Sequence, residues 1–290
     1  MEPIDFWKMN GSGNDFILIN NMDGKIKNDE MKDLVTKISR RRESVGADGV
    51  IFLEKSAHLD FAWRFFNADG TEVEMCGNGS RCIARFAYLL GIADREMSFE
   101  TMAGPVSASV HGRMVKVLMP LPKDFSRDIA IKHRGLWEGV DFINTGVPHV
   151  VVYVNDLETY PVLEHGRSIR YDPFFAPDGT NVNFMRVLAP DRIEVRTYER
   201  GVEDETFACG TGSIACALAA SKRGLARSPV KVMTRGGDQL VIYFTPADCG
   251  QNQTEEKHAM FKEVWLEGNT SIVYKGQLHE EALLTVSDTT

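Results

Sequence analysis

Asn67-Ala-Asp-Gly-Thr-Glu-Val-Glu-Met-Cys76-Gly-Asn-Gly-Ser-Arg81 is the stretch on which the reading of this chain turns, because it has an echo. Cys209-Gly-Thr-Gly-Ser213 repeats Cys76-Gly-Asn-Gly-Ser80 at an offset of 133 residues (76 against 209). Both copies run into helix-forming sequence, residues 81–90 and 214–223. At the same offset Ala84 meets Ala217, Ala87 meets Ala220 and Gly91 meets Gly224. Further out, Thr101 meets Thr234, Gly104 meets Gly237 and Gly13 meets Gly146. A register kept over that distance marks a divergent internal duplication.

Strand and helix signals repeat with it. In the first half, strands are predicted at 4–9, 16–20, 50–53, 61–66, 97–101, 106–110 and 115–119, with an amphipathic helix over 29–41 carrying Met31, Leu34, Val35 and Ile38 on one face. Asn10-Gly-Ser-Gly-Asn-Asp15 reads as the turn between the first two strands. In the second half, strands are predicted at 142–144, 150–154, 183–187, 192–198, 230–234, 240–244, 261–266 and 271–274, with a helix near 157–165. Pro120-Leu-Pro122 is the boundary, giving halves 1–121 and 122–268, with a final strand near 269–278 returning to the first half. Mostly antiparallel strands around one principal helix per half make the fold class α+β rather than a βαβ series. The polar segment 245–258 has no counterpart in the first half and reads as an insertion, and the tail 280–290 as chemically silent.

Bulk properties narrow the function. The 290 residues are ample for two cores. With 33 Lys and Arg against 41 Asp and Glu the net charge is −8, which argues against nucleic acid as a partner. Arg40-Arg41-Arg42, at the end of the first helix, reads as cations at a helix C-terminus. No apolar run reaches the roughly 18 residues that span a bilayer, and the N-terminus lacks a signal-peptide core. The expectation is a cytoplasmic protein, or one whose targeting segment has been removed. Five cysteines without framework spacing fit reduced thiols there, and no Cys-x-x-Cys marks a metal or redox site.

The chemistry starts from a cysteine at a helix mouth. The first turn of a helix offers unpaired N–H groups and a partial positive charge, and glycines let a ligand approach them. The same field favours a thiolate over a thiol, so the cysteine becomes a usable base or nucleophile. One such turn is compatible with a phosphate cradle, or with a cysteine hydrolase using His149. Neither copy is a Walker loop, since no Gly-Lys-Ser/Thr follows. Two such turns suggest a carboxylate held by helix N-termini with a sulfur on each side of its α-carbon, as two-base inversion requires. Cys82 and Cys216, inside the helices, read as small buried hydrophobes, and Cys249 as incidental. Asn67 precedes the turn dipeptide Asp69-Gly70, which alone could explain it, yet a ligand role is favoured. At the 133 offset Arg200 of Thr197-Tyr-Glu-Arg stands where Asn67 stands, suited to bidentate carboxylate recognition or to a surface ion pair. His149 is open between a ligand role and a structural one.

Taken together, these motifs resemble the diaminopimelate epimerase family. Asn67-Ala-Asp-Gly-Thr with Cys76-Gly-Asn-Gly-Ser-Arg is similar to its first cysteine motif, and Ala208-Cys-Gly-Thr-Gly-Ser to its second. Met9-Asn-Gly-Ser-Gly-Asn-Asp-Phe16, Thr180-Asn-Val-Asn-Phe184 and Arg196-Thr-Tyr-Glu-Arg-Gly201 resemble its other motifs, in order, over residues 4–277. The resemblance implies two pseudo-symmetric domains, each a strand barrel around a central helix. It implies an epimerase without cofactor or metal, acting on diaminopimelate in lysine and peptidoglycan precursor synthesis, and a homodimer. By carry-over Cys76 and Cys209 are the acid/base pair, and His149 and Glu199 support them. Backbone N–H groups of Gly77, Asn78, Gly210 and Thr211 hold the reacting carboxylate, and Asn14, Asn67, Asn181, Glu199 and Arg200 bind the rest of the substrate. Two departures are visible, Val147 where many relatives have Asn and Gly49 where some have Gln.

Overall fold

The computed structural model describes residues 3–131, 140–247 and 260–284; Cys249, residues 248–258 of the expected insertion and 285–290 of the tail lie outside the described residues. The chain divides into two compact units, Met1–Val117 with Gly268–Thr290, and Leu118–Glu267.

In the first unit β1 (Ile4–Gly11) turns into β2 (Asn14–Asn20) through Ser12 and Gly13, both in the left-handed region (φ 56° and 90°). Helix α1 (Asn28–Ile38) carries the chain to β3 (Gly49–Glu54), parallel to β2, and β4 (Phe61–Asn67) returns antiparallel. A two-residue β5 (Glu72–Val73) folds back on β4, and α2 (Gly77–Leu89) crosses to β6 (Glu96–Thr101), parallel to β4. Then β7 (Gly104–His111) and β8 (Met114–Leu118) add antiparallel. The last strand, Ser271–Leu278, pairs antiparallel with β1.

The second unit repeats the series. Strand β9 (Lys123–Ser126) lies beside β10 (Val140–Asn144), which pairs with β11 (Pro148–Tyr153). Helix α3 (Val162–Arg170) leads to β12 (Asn181–Ala189), parallel to β11, and β13 (Arg192–Glu199) returns antiparallel. Strand β14 (Asp204–Thr206) folds back on β13, and α4 (Gly210–Lys222) crosses to β15 (Val230–Thr234), parallel to β13. Antiparallel β16 (Gln239–Pro246) and β17 (Phe261–Asn269) complete it. Shifted by 133, α2 falls on α4 residue for residue. Gly91 and Gly224, which follow these helices, sit at φ 70° and 73°, a left-handed stop that a side chain disfavours. Among the described residues the shift fails past β16: β8 moved by 133 would begin at residue 247, whereas β17 begins at Phe261.

Helix burial explains the layering. In α1 only the stripe Met31, Leu34, Val35 and Ile38 is buried, against Ile17, Ile19, Val50 and Phe52. In α2 and α4 the buried residues run all round, as a helix enclosed by strands requires. Ala215, Ala217, Ala219 and Ala220 leave α4 almost featureless in section.

Antiparallel pairing predominates as expected, with two parallel joins in each unit where α1 and α2, and α3 and α4, supply the long crossovers that parallel pairing needs. Two expectations need correction. The helix expected near 157–165 begins at Val162, since Asp156 caps a turn through the N–H groups of Glu158 and Thr159, and Pro161 can only precede a helix or open it. Thr245 and Pro246 belong to β16 rather than to an insertion.

Candidate active site

Each cysteine caps the helix that follows it. Cys76 leaves β-type backbone (φ −146°, ψ 117°), and its Sγ accepts the N–H of Gly79 at 3.5 Å while its carbonyl takes that of Ser80 at 2.8 Å. Cys209 does the same (φ −118°, ψ 112°), with the N–H of Gly212 at 3.4 Å and of Ser213 at 2.9 Å. The N–H groups of Gly77 and Asn78, and of Gly210 and Thr211, come before the first intrahelical bond and have no acceptor within their helices. Each turn therefore pairs a sulfur with two N–H donors suited to an anion. Cys76 is half-buried and Cys209 buried. The inner cysteines differ in kind. Complete burial pushes the Cys82 thiol up to about 12 and Cys216 well above its usual value, so both stay protonated packing residues.

Around the first turn the polar groups form one oriented chain. Asn78 Nδ2 donates to Asn14 Oδ1 at 2.8 Å, and Asn14 Nδ2 donates to Asp48 Oδ2 at 2.9 Å. In the other direction the fully buried Arg81 gives its Nη2 to Asn78 Oδ1 at 2.8 Å and to Ser12 Oγ at 2.9 Å. Arg41 bridges Asp48 at 2.7 Å and Asp15 at 2.5 Å, and Lys8 reaches Asp15 at 2.7 Å. Burial alone would raise the Asp15 carboxyl, but Arg41 and Lys8 outweigh it and bring it down to about 2. Arg41 is thus not a helix-end cation as expected, since α1 stops at Ile38 and frees the arginine for these carboxylates. Asn67 ends β4, exposed, opposite Gly49, with Gly70 N–H closing the turn on its carbonyl at 2.9 Å. Gly49 has a packing reason: a Cβ there would lie 2.6 Å from the Phe65 ring and 2.7 Å from the Phe66 carbonyl.

Around the second turn the partners are different. Thr211 Oγ1 lies 3.5 Å from Cys209 Sγ, and Thr145 Oγ1 donates to the Thr211 carbonyl at 3.1 Å. His149 is fully buried on β11 opposite Asn181 of β12. Burial and then the Arg200 guanidinium depress its imidazole to about 3, against a hydrogen bond with Asn183, so it is neutral near pH 7. Asn181 is committed to the protein, donating to the Pro148 carbonyl at 3.0 Å and accepting the Arg200 N–H at 2.9 Å. Arg200 Nη1 meets the Asp178 carbonyl at 3.2 Å, and half-buried Glu199 accepts the Thr206 hydroxyl at 2.9 Å. Val147 is half-buried and its carbonyl takes the Thr145 N–H at 3.1 Å.

The geometry thus brings Cys76, Gly77, Asn78 and Asn14 together in one unit, and Cys209, Gly210 and Thr211 in the other, where His149, Asn181 and Arg200 form a second group. Asp48, Arg81 and Asn183 were not singled out from sequence. For Asn183 a signal existed: Asn181-Val-Asn183 on a strand puts both amides on one face.

Comparison with known proteins gives the family and the fold. The family model described as Diaminopimelate epimerase matches residues 6–122 and 142–251. A diaminopimelate epimerase of Aquifex aeolicus is 44% identical over 292 residues, covering 97% of this chain and 99% of that protein. One of Chlorobaculum tepidum is 40% identical, covering 93% and 99%. Among solved structures, a Bacillus anthracis phenazine biosynthesis protein of the PhzF family superposes with a TM-score of 0.72 at 17% identity, covering 96% of this chain and 100% of that one. A probable proline racemase of Agrobacterium radiobacter K84 superposes with a TM-score of 0.68 at 17% identity, covering 96% and 93%. At such identities the structures speak for the fold alone.

Proposed function

The chain belongs to the diaminopimelate epimerase family, and we propose that it interconverts LL- and meso-2,6-diaminopimelate by two-base proton transfer at the α-carbon, without a cofactor. The observation that carries this reading is the pair of capping cysteines, each with its sulfur on the third N–H of a helix and two N–H groups ahead of it that make no intrahelical bond. One thiolate takes the α-proton and becomes a thiol. The electron pair left on carbon spreads into the carboxylate, which the N–H groups of Gly77, Asn78, Gly210 and Thr211 stabilise. The other thiol delivers its proton to the opposite face and becomes the thiolate, so configuration inverts and atoms balance.

Asn14, Asn67, Asn181, Glu199 and Arg200 bind the remainder of the substrate, and His149 and Glu199 serve as supporting polar groups. Because His149 is neutral near pH 7, its part is hydrogen bonding rather than charge. Asn181 acts by holding Arg200 and the β11 backbone at least as much as by touching ligand. The enzyme works in the cytoplasm, supplying lysine and peptidoglycan precursors. Among the described residues no helix is long and apolar enough to cross a membrane. It acts as a homodimer, as the family resemblance implies, which light scattering checks.

The decisive assay incubates LL-diaminopimelate, and separately L-proline, in deuterated buffer and follows α-deuterium by mass spectrometry. Incorporation into diaminopimelate with formation of the meso isomer is expected. Incorporation confined to proline would overturn the reading in favour of a proline racemase, and none with either would leave a binding protein.

A further inference from the structure

Asn183 has no part in the reaction as described, yet it is fully buried where three strands and a helix turn meet. Its Nδ2 donates to the Val150 carbonyl at 2.9 Å and approaches His149 Nδ1 at 3.1 Å, both on β11. Its Oδ1 accepts the Thr197 hydroxyl of β13 at 3.0 Å. A Cβ on Gly212, in the first turn of α4, would stand 2.2 Å from that same Oδ1. The turn whose N–H supports Cys209 can reach this amide because residue 212 is glycine.

The orientation of the amide has a chemical consequence. Turned over, its oxygen would face the Val150 carbonyl, two acceptors opposed. Nδ2 must therefore be the group that faces His149, so Nδ1 of the imidazole is the acceptor and the ring proton sits on Nε2. That Nε2–H is buried and has no hydrogen-bond partner among the described residues. Native interiors rarely leave such a donor idle unless it has a use. The pair is peculiar to the second unit: 133 residues earlier, Phe16 stands for His149 and Val50 for Asn183. Histidine and its partner differ together from an otherwise repeated backbone.

We propose that Asn183 is a positioning residue that locks His149 as an Nε2–H donor, reserved for an acceptor atom of the bound amino acid. The charged group that acts on the ring is Arg200, and together with burial it keeps the imidazole uncharged. The identity of that amino acid rests on the function proposed above; the tautomer does not.

The test is long-range proton–nitrogen correlation NMR on protein labelled with 15N-histidine, near pH 7. His149 is expected with its proton on Nε2 and a bare Nδ1. A proton on Nδ1, or on both nitrogens, would overturn the proposal without any variant having to fold. Asn183→Ala removes the Nδ2–H donor without adding a group that can itself take a proton, and should let the ring populate both tautomers, lowering kcat by about 10- to 100-fold, the size of a misplaced supporting group; a ring still held wholly as Nε2–H in that variant also overturns it. Finally, Cys76→Ala protein shown by calorimetry to be saturated with diaminopimelate should display a shifted Nε2–H signal, and an unchanged one refutes the reservation for substrate. Failure of the deuterium assay with the expected tautomer present would count against the function alone.

Discussion

The two cysteine turns share a backbone and little else. Cys76 and Cys209 cap helices of identical span, with matching dihedral regions and sulfur–amide bonds of 3.5 and 3.4 Å. Their surroundings diverge at nearly every polar position. Asn78 is gripped by Arg81 and Asn14, whereas Thr211 turns its hydroxyl to the sulfur; Phe16 and Val50 stand where the other unit has His149 and Asn183. The difference teaches that the repeated part is the element common to both half-reactions, a sulfur and two amides. The varied part can distinguish the ends and faces of one asymmetric substrate.

The strongest way to break the comparison is to remove the repeated element. Cys76→Ala and Cys209→Ala should each lower epimerisation by at least about 10³-fold, within the range for losing a positioned acid or base, with thermal unfolding little changed. A variant near the wild-type rate would show that its turn is not a catalytic half. The divergent surroundings are tested next. Arg81→Met leaves Asn78 Oδ1 and Ser12 Oγ without their charged donor and should cost about 2–3 kcal/mol. At the equivalent Ile214, which is buried and has no polar side-chain atom, Ile214→Val should cost about 1 kcal/mol. Equal shifts of the urea midpoint in the two variants would contradict the asymmetry.

A finer contrast uses the two helix glycines. At Gly212 an added methyl meets Asn183 Oδ1 at 2.2 Å, so Gly212→Ala should destabilise by about 1–3 kcal/mol through overpacking. At Gly79 the nearest atom is Ile51 Cδ1 at 3.2 Å, a flexible tip, and the higher helix propensity of alanine offsets the squeeze to within about 1 kcal/mol. Calorimetry that ranked the two the other way would mean that Asn183 does not brace the α4 turn.

Much of this was legible in the sequence for a definite reason. The turn motifs, the glycines at 13, 91, 146 and 224, and the period-two strands are local signals, and the duplication doubles each of them. What escaped was non-local. Strand direction depends on where a crossover lands, so the parallel joins β2 to β3 and β11 to β12 left no mark in either strand. Strands β5 and β14 are too short to show a period. Arg41 reads as one of three arginines at a helix end until Asp15, 26 residues away, is brought beside it. Asn183 reads as motif filler until His149, 34 residues away, is seen to lean on it.

The smallest expected effect separates the first turn by pH. Asp15, held at about 2 by Lys8 and Arg41 against a value near 3.9 in the unfolded chain, is a depressed carboxylate. Its contribution is fully present above about pH 4 and is lost as pH falls through about 2, because the unfolded chain binds the proton first. Partial exposure of Arg41 screens the pair, so the contribution should be about 1 kcal/mol. In Asp15→Asn protein the stability deficit, read from urea midpoints, should therefore be constant from pH 7 to about 4 and should vanish towards pH 2. The equivalent residue in the second unit is Pro148, which has no charge to lose, so the acid-sensitive deficit belongs to the first turn alone. A deficit unchanged down to pH 2 would mean that the Lys8–Asp15–Arg41 cluster is held by packing, and that the charge asymmetry between the two turns carries no stability.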